Sequence, residues 1–373
     1  MISVHLLSNV LAILAVFASL PRARHDCYEQ YLPSIEQRYK ERVMLLQRND
    51  LKGVQVALAK DFSYMDSVQG NYANSGRNGF LKAISLLPPL LREGFRLDYH
   101  VEKIDMQKDG TAIVHVKVVL TGPQKNAIAF FQDAWKPEIG KWYLKRSAFL
   151  SSQLFINGKL NRITAGSRSF DISPLARYQG EKQLSKMLRD RPNMQRFIKK
   201  GDFIWEWCVR QFAGESVGEP IEWNPASPSK GAECDSQYPV NGAKGFIRVS
   251  KERVDSVALG AVLTGEALWG DAAYELNNIG NSREFKELDR LAAEHKVDKD
   301  VWIKETLRLE HATLLKTYAV YKTVFEPALR SRNQHIDPRV NARWGLVNPR
   351  FELWWAMMQK DGRAIGIYRK AYE

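Results

Sequence analysis

The alternation of apolar and polar residues divides this chain into stretches of different period. Ile35, Tyr39, Val43 and Leu46 recur at helical spacing, and Asn49-Asp50 then supplies the cap for a second short helix through Leu58. SYMD, residues 63–66, has the look of a short extended piece. GRNGFLKAISLLPPLLREG, residues 76–94, predicts a helix bent or broken at Pro88-Pro89, because proline lacks the amide donor and clashes with the preceding turn. The period then falls to two. FRLDYHVEKI, TAIVHVKVVLTG, NAIAFFQDAWKPE and KWYLKRSAFL predict four strands within residues 95–150, joined by turns at KDG, GPQKN and EIG. Helices followed by an antiparallel meander predict an α+β domain over residues 28–150, a curved sheet wrapped over helices.

Beyond residue 150 the pattern changes twice. FINGKLNRITAGSRSFDISP is rich in turn residues and opens a connector, residues 151–200, that ends in the basic stretch KMLRDRPNMQRFIKK. Residues 201–373 predict a mainly helical domain: the aromatic helix FIWEWCVRQF, a long irregular loop over 218–245, a short strand GFIRVSKE, then three helices between Glu266 and Leu329. A total of 373 residues, 45% of them apolar, is enough for two cores. The tail gathers Trp344, Phe351, Trp354, Trp355, Met357 and Met358, which point to core packing or, if exposed, to a partner surface.

The first twenty residues contain no Lys, Arg, Asp or Glu, and the run Val10 to Leu20 is too short to span a bilayer. With small side chains at Val16 and Ala18, this predicts a signal peptide over residues 1–18 and an extracytoplasmic, periplasmic or secreted, location; an uncleaved anchor or a buried first helix is the alternative. Such a compartment permits a Cys208–Cys234 disulfide; the alternative is three unrelated thiols, Cys27 included. The net charge of +13 is concentrated in the connector, where 11 Lys and Arg meet 3 Asp and Glu. Residues 186–200 therefore fit either an anionic surface, lipid or polymer, or a solvated helix face. Nucleic acid is not expected, since aromatic interleaving is missing from the run. No zinc-finger spacing, Walker loop, dinucleotide fingerprint or nucleophile elbow occurs, so no cofactor is expected.

Asp61-Phe62 with Tyr64 and Asp66, followed by Asp133-Ala134-Trp135 and Gly140-Lys141-Trp142 in the last hairpin, give residues 30–150 a specific likeness. This stretch resembles the SnoaL-like, nuclear transport factor 2-like superfamily. The resemblance implies a cone-shaped scaffold, one that hosts isomerases, cyclases and dehydratases as well as non-catalytic pockets. Alternation places Ala127, Ala129, Phe131, Asp133 and Trp135 on one strand face, so Asp133 is an acid among apolar neighbours and a candidate general base. Tyr64, Asp66, Tyr99, Phe131 and Trp135 are the candidate pocket residues. His115 alternates with the Val114–Val116–Val118 face and is expected to point the less buried way. No convincing catalytic pair stands out in the sequence. The expectation is a non-catalytic pocket for a small apolar ligand, or a homodimer surface on the sheet, with an enzyme based on Asp133 as the alternative.

Two glutamates in the second half interrupt apolar helical stripes. Glu275 shares a face with Leu268, Ala272 and Ile279, and Glu310 with Ile303, Leu307, Leu314, Tyr318, Tyr321 and Phe325. A bare carboxylate in a core costs several kcal/mol, roughly, so each needs a companion such as His311, Tyr274, Asn277, Asn278, Arg308 or Arg343. A strand, a helix bearing Glu275 and a later Glu310-His311 resemble a zincin metallopeptidase over residues 240–330. Tyr274 and Asn278, however, stand where zinc-binding histidines belong. The resemblance implies a degenerate zincin without metal, its Glu275, Glu310 and His311 kept in a buried polar network; two partly exposed helices unrelated to zincins are the other reading, and hydrolysis at Glu275 is the lesser alternative.

Overall fold

The computed structural model describes residues 25–372 except 69–70, 75, 108, 139, 166–171, 225–231, 236–245, 250–264, 337–341 and 346. The leader segment of residues 1–18 lies outside the described residues. The chain forms two units: one runs to Ser167 and includes Arg290–Glu305, the other comprises Arg168–Asp289 and Thr306–Glu373.

The first unit begins with α1 (His25–Gln47), which buries Ile35, Tyr39, Arg42 and Leu46 along one helical stripe. Arg42 therefore holds a core position, while Val43 is half-buried beside it. Asn49 ends α1 in the left-handed region, at φ 56°. Asp50 then accepts a 2.8 Å hydrogen bond from the Gly53 amide and caps α2 (Leu51–Val56), which stops short of Leu58 because that residue opens β1 (Leu58–Val68). β2 (Asn71–Asn74) is followed by α3 (Gly76–Ile84) and α4 (Leu87–Arg92). The helix breaks just before Pro88 and Pro89, which occupy the first turn of α4, where a missing N–H removes no helical hydrogen bond.

The sheet continues with β3 (Arg96–Met106), β4 (Ala112–Thr121), β5 (Lys125–Glu138), β6 (Lys141–Ile156) and β7 (Lys159–Ala165). Its order is β2-β1-β6-β5-β4-β3, with β7 also on β6. The expected meander is present as β3 to β6, and the fold of this unit is α+β. Three features differ from the sequence pattern. SYMD is the middle of an 11-residue strand, and that strand pairs in parallel with β6, Tyr64 opposite Ser147, so the sheet is mixed. The helices and the meander together form the long crossover that a parallel pair needs. The turn-rich FINGKLNRITA belongs to the sheet: Asn157 and Gly158, both with positive φ, make a two-residue hairpin between β6 and β7. Register shifts at Val101/Lys103, Phe130/Phe131 and Ala134/Trp135 bend the sheet about α1. The free edge of β7 meets Arg290–Glu305, with the Leu160 amide on the Lys296 carbonyl at 2.8 Å and the Ile163 amide on the Glu305 carboxylate at 3.0 Å.

The second unit contains α5 (Pro174–Asp190), capped by Ser173, and α6 (Phe203–Phe212), capped by Asp202. The expected irregular loop holds two short strands, β8 (Glu222–Trp223) and β9 (Ala232–Asp235), which flank β10 (Phe246–Val249). Next come α7 (Gly265–Asn278), α8 (Ser282–Ala293), α9 (Lys299–Val320), α10 (Glu326–Arg330), α11 (Phe351–Asp361) and α12 (Arg363–Tyr372). Trp223, Trp269, Phe325 and Trp344 are fully buried at the centre. Cys208 is a free thiol on the inner face of α6, where burial and the nearby Asp202 push its pKa well up. It makes no disulfide; the side chains of Cys27 and Cys234 lie outside the described residues.

The α9 stripe is rotated from the expected one. Leu314 and Tyr318 are half-buried, while Thr313, Lys316 and Thr317 are buried. The buried polar groups are satisfied in a chain: Lys316 donates to Asn281 at 3.1 Å, Asn281 to Thr313 at 2.8 Å, and Thr313 to Asn278 at 2.9 Å. Amide side chains on and after α7 thus make a polar face of α9 buriable.

Helix α5 can lie against α6 only because residue 180 is glycine. A Cβ there would stand 2.4 Å from the Val209 carbonyl oxygen and 2.9 Å from the Ala213 nitrogen. Gly180→Ala is expected to lower stability by about 1–3 kcal/mol through overpacking. Gly366→Ala in α12, where a Cβ meets nothing within 4 Å, is expected to raise it by up to about 1 kcal/mol. Paired denaturant melts check both signs.

Candidate functional site

The β5 face carries Ala127, Ala129, Phe131, Asp133 and Trp135 toward α1, and every one of them is buried. Asp133 is 1% exposed. The Tyr39 hydroxyl donates to Asp133 Oδ2 at 2.9 Å and accepts from Trp135 Nε1 at 3.0 Å. The indole N–H can only donate, so the Tyr39 proton is committed to Asp133, and Oδ2 is an acceptor. Arg42 Nη1 stands 3.8 Å from the same Oδ2. Its guanidinium lies between aromatic rings, 5.3 Å from the Tyr39 and Trp135 centroids, 5.8 Å from Phe80 and 5.9 Å from Tyr99. Tyr39 stacks on Tyr99 at 5.1 Å.

Burial raises the Asp133 pKa; Arg42, Ser147 and Tyr39 pull it down without cancelling that effect. Burial also raises Tyr39 well above the ordinary tyrosine value, with the Asp133 charge acting in the same sense. For Arg42, burial alone would weaken the hold on the proton, but the Tyr99, Asp133 and Tyr39 oxygens outweigh it, and the guanidinium stays charged. Within this cluster, two buried polar atoms make no hydrogen bond to a described residue: Asp133 Oδ1 and Arg42 Nη2. Ser147 also acts on Asp133, and Tyr99 on Arg42, as hydrogen-bonding neighbours, but Oδ1 and Nη2 have no partner in good hydrogen-bond geometry. Chemically the cluster can bind a hydroxyl or carbonyl, or move a proton through Oδ1.

Of the pocket residues expected from sequence, Tyr99 and Trp135 join this cluster. Tyr64 reaches it through Phe80, whose ring it meets edge-on at 5.4 Å. Phe131 is on the same strand face, and Asp66 lies in β1 opposite Ala73, its side chain outside the described residues. His115 does point away from the Val114–Val116 face, yet it is only 4% exposed. It is flanked on an interior strand by Lys103 and Gln132, and Asp105 Oδ2 sits 3.5 Å from its Nε2. Tyr39, Arg42 and Ser147 were missed by the sequence reading. Arg42 had a signal, being a charge on the Ile35–Tyr39–Leu46 stripe.

In the second unit Arg343 gathers the acids. Its Nη1 contacts Glu275 at 2.7 Å, its Nε faces Asp271 at 3.4 Å, and its guanidinium lies 4.0 Å from the Tyr274 ring centroid. Glu310 accepts from the Tyr368 hydroxyl at 3.0 Å, and burial raises its pKa against the pull of Tyr368 and Arg343. His311 turns elsewhere: its Nε2 donates to the Asn348 carbonyl at 2.7 Å, and its ring packs on Phe351 and Trp354. Burial lowers its pKa, which keeps the imidazole neutral. No group of three His, Cys, Asp or Glu side chains is placed to hold a metal ion among the described residues.

No protein-family model and no curated protein matches the chain. Solved structures similar to it include a scytalone dehydratase-like protein from Novosphingobium aromaticivorans, at 17% identity and TM-score 0.26, covering 40% of this chain and 94% of that one. Aln2 from a Streptomyces species is 15% identical at TM-score 0.24, over 35% and 91% of the two chains. An LEH-like epoxide hydrolase from M. tuberculosis is 17% identical at TM-score 0.22, over 31% and 79%. Likeness at these TM-scores says nothing about chemistry, and the functional reading rests on the side chains.

The raised pKa of Glu310 gives a pH test. Its folded-state pKa lies above the unfolded value, so the associated stability is full in acid and is lost as pH rises through the folded value. Glu310→Gln keeps an acceptor for Tyr368 and removes that loss. The variant is expected to match wild type at about pH 4 and to exceed it in urea midpoint at about pH 8.

Proposed function

We propose that the first unit is a binding cone that receives a small, mainly apolar molecule and holds it by one hydroxyl group at Asp133 and Arg42. The observation behind this reading is the pair of unused atoms in a buried cluster. An unsatisfied buried polar group costs about 1–3 kcal/mol, and more when charged, so Oδ1 and Nη2 call for an occupant. A hydroxyl can serve either atom, donating to Oδ1 or accepting from Nη2. The surrounding surface is aromatic, which favours a flat apolar body. Tyr99 is the half-buried member of the cluster, and in this proposal the ligand enters beside it.

A second reading is supported by the proton wiring. With the Tyr39 proton fixed on Oδ2 and the acid's pKa raised, Oδ1 is the basic edge, and Arg42 is placed to steady an oxyanion. Asp133 would then be a general base. In our reading the chain is also exported through its first eighteen residues. The second unit is structural in this proposal, with Glu275 neutralised by Arg343.

A fluorescent phenol, 2-naphthol, tests the binding reading against naphthalene, which lacks the hydroxyl. Wild type is expected to bind 2-naphthol at least about tenfold tighter than naphthalene, a difference of about 1.4 kcal/mol, and Asp133→Asn to lose most of that preference. Equal affinities, or no binding of either compound, would defeat the proposal. Proton exchange at the α-carbon of a bound aryl ketone, seen by NMR in wild type and lost in Asp133→Asn, would establish the catalytic version instead.

A further inference from the structure

We infer that the second unit docks on an anionic lipid bilayer through the outer face of α5 and the start of α6. Eight large apolar side chains stand well exposed among the described residues, and three of them sit at this one place: Leu175 (67%), Tyr178 (60%) and Phe203 (72%). Helix α5 buries Gly180, Leu184 and Met187. At 3.6 residues per turn the opposite stripe is Leu175, Tyr178, Lys182, Ser185 and Arg189, two apolar groups and two cations with no carboxylate. All but Ser185 are exposed. Lys182 Nζ lies 5.7 Å from the Tyr178 ring centroid, which puts cation and aromatic on one face.

Two contacts bring Phe203 to the same end. Arg177 pairs with Glu206 at 2.6 Å, and Gly180 lies against Val209 and Ala213, so α5 and α6 run in the same direction. Leu175 lies two residues before Arg177 and Phe203 three before Glu206, so both fall at the N-terminal end of the helix pair. Lys199 and Lys200, exposed, lie just before the Gly201-Asp202 cap of α6. The neighbouring acids are engaged inside the unit: Glu206 by Arg177, Glu181 by Arg177 at 3.9 Å, Asp202 by Arg332 at 3.2 Å, and Asp190 by Arg191. The face is left positive and apolar.

That combination selects the partner. A soluble polyanion satisfies Lys182, Arg189, Lys199 and Lys200 but gives Leu175, Tyr178 and Phe203 nothing to enter. An anionic bilayer does both, because headgroups meet the cations while aromatic and aliphatic tips reach the acyl boundary. No described helix is long and apolar enough to cross a membrane; the proposed contact is with the bilayer surface. Not all of the basic stretch takes part. Arg191 is buried, paired with Asp190 and 5.3 Å from the Trp223 ring centroid.

Co-sedimentation of the full chain with phosphatidylcholine vesicles, with and without about one quarter phosphatidylserine, tests the inference. Binding is expected only with phosphatidylserine and should weaken sharply in about 1 M salt. Leu175→Ser/Tyr178→Ser/Phe203→Ser and Lys182→Glu/Arg189→Glu are each expected to lose binding at least tenfold, with unchanged melting temperature and unchanged 2-naphthol binding. The inference is overturned if wild type ignores phosphatidylserine vesicles, or if the serine variant binds them as tightly as wild type. Tight binding of soluble polyphosphate without vesicle binding would replace the bilayer with a polyanion.

Discussion

The carboxylate of Asp133 lies in a mainly apolar sheet face, with Ser147 directly opposite it, and the charge of Arg42 lies on the helix face that packs against it. Neither can be left alone there. An ion buried without a partner costs far more than a methyl group gains, and removing one member of such a pair strands the other. Helix α1 must therefore settle in the register that brings Tyr39 and Arg42 to Asp133, with Trp135 completing the line of donors. The aromatic rings that surround the guanidinium follow from the same requirement, since they exclude water while still favouring a cation.

The second unit solves a related problem by a different arrangement. Glu275 and Asp271 share Arg343, and the Tyr274 ring lies against that guanidinium. Glu310, nearby, has only a phenol and the more distant charge, and its pKa rises accordingly. His311 is separated from these acids by its bond to Asn348, although it is the next residue in sequence. One step along a helix rotates a side chain by about 100°, enough to send neighbours to different environments. The contrast between the units is functional as well. Glu275 has its charge met from within, whereas Asp133 and Arg42 each keep one polar atom unused.

Much of the first unit was legible from periodicity. The two-residue alternation located β3, β4 and β5, and it put Asp133 and Trp135 on one face, because side-chain direction in a strand is fixed by parity alone. Capping chemistry likewise located the start of α2 at Asp50. What periodicity could not supply was the pairing partner. SYMD has the same local pattern whether it is a short edge or the middle of a long strand parallel to β6, and only closure of the crossover decides. In the same way FINGKLNRITA looks like a linker until β6 is there to pair with it. The three missed site residues share this origin. Tyr39 and Ser147 are ordinary in their own segments, and Arg42 is conspicuous only once its helix face is known to be inward.

The sequence by itself determined the α+β plan of the first unit, the inward face of β5 and the need of Glu275 and Glu310 for companions, since each depends on local spacing or on the solvation of a single group. Tertiary structure decided which companions they found. Asp133 met Tyr39 from 94 positions away and Glu275 met Arg343 from 68 away. Contacts at that separation are set by the packing of whole elements and the loop closures that permit it, which no window of neighbouring residues encodes.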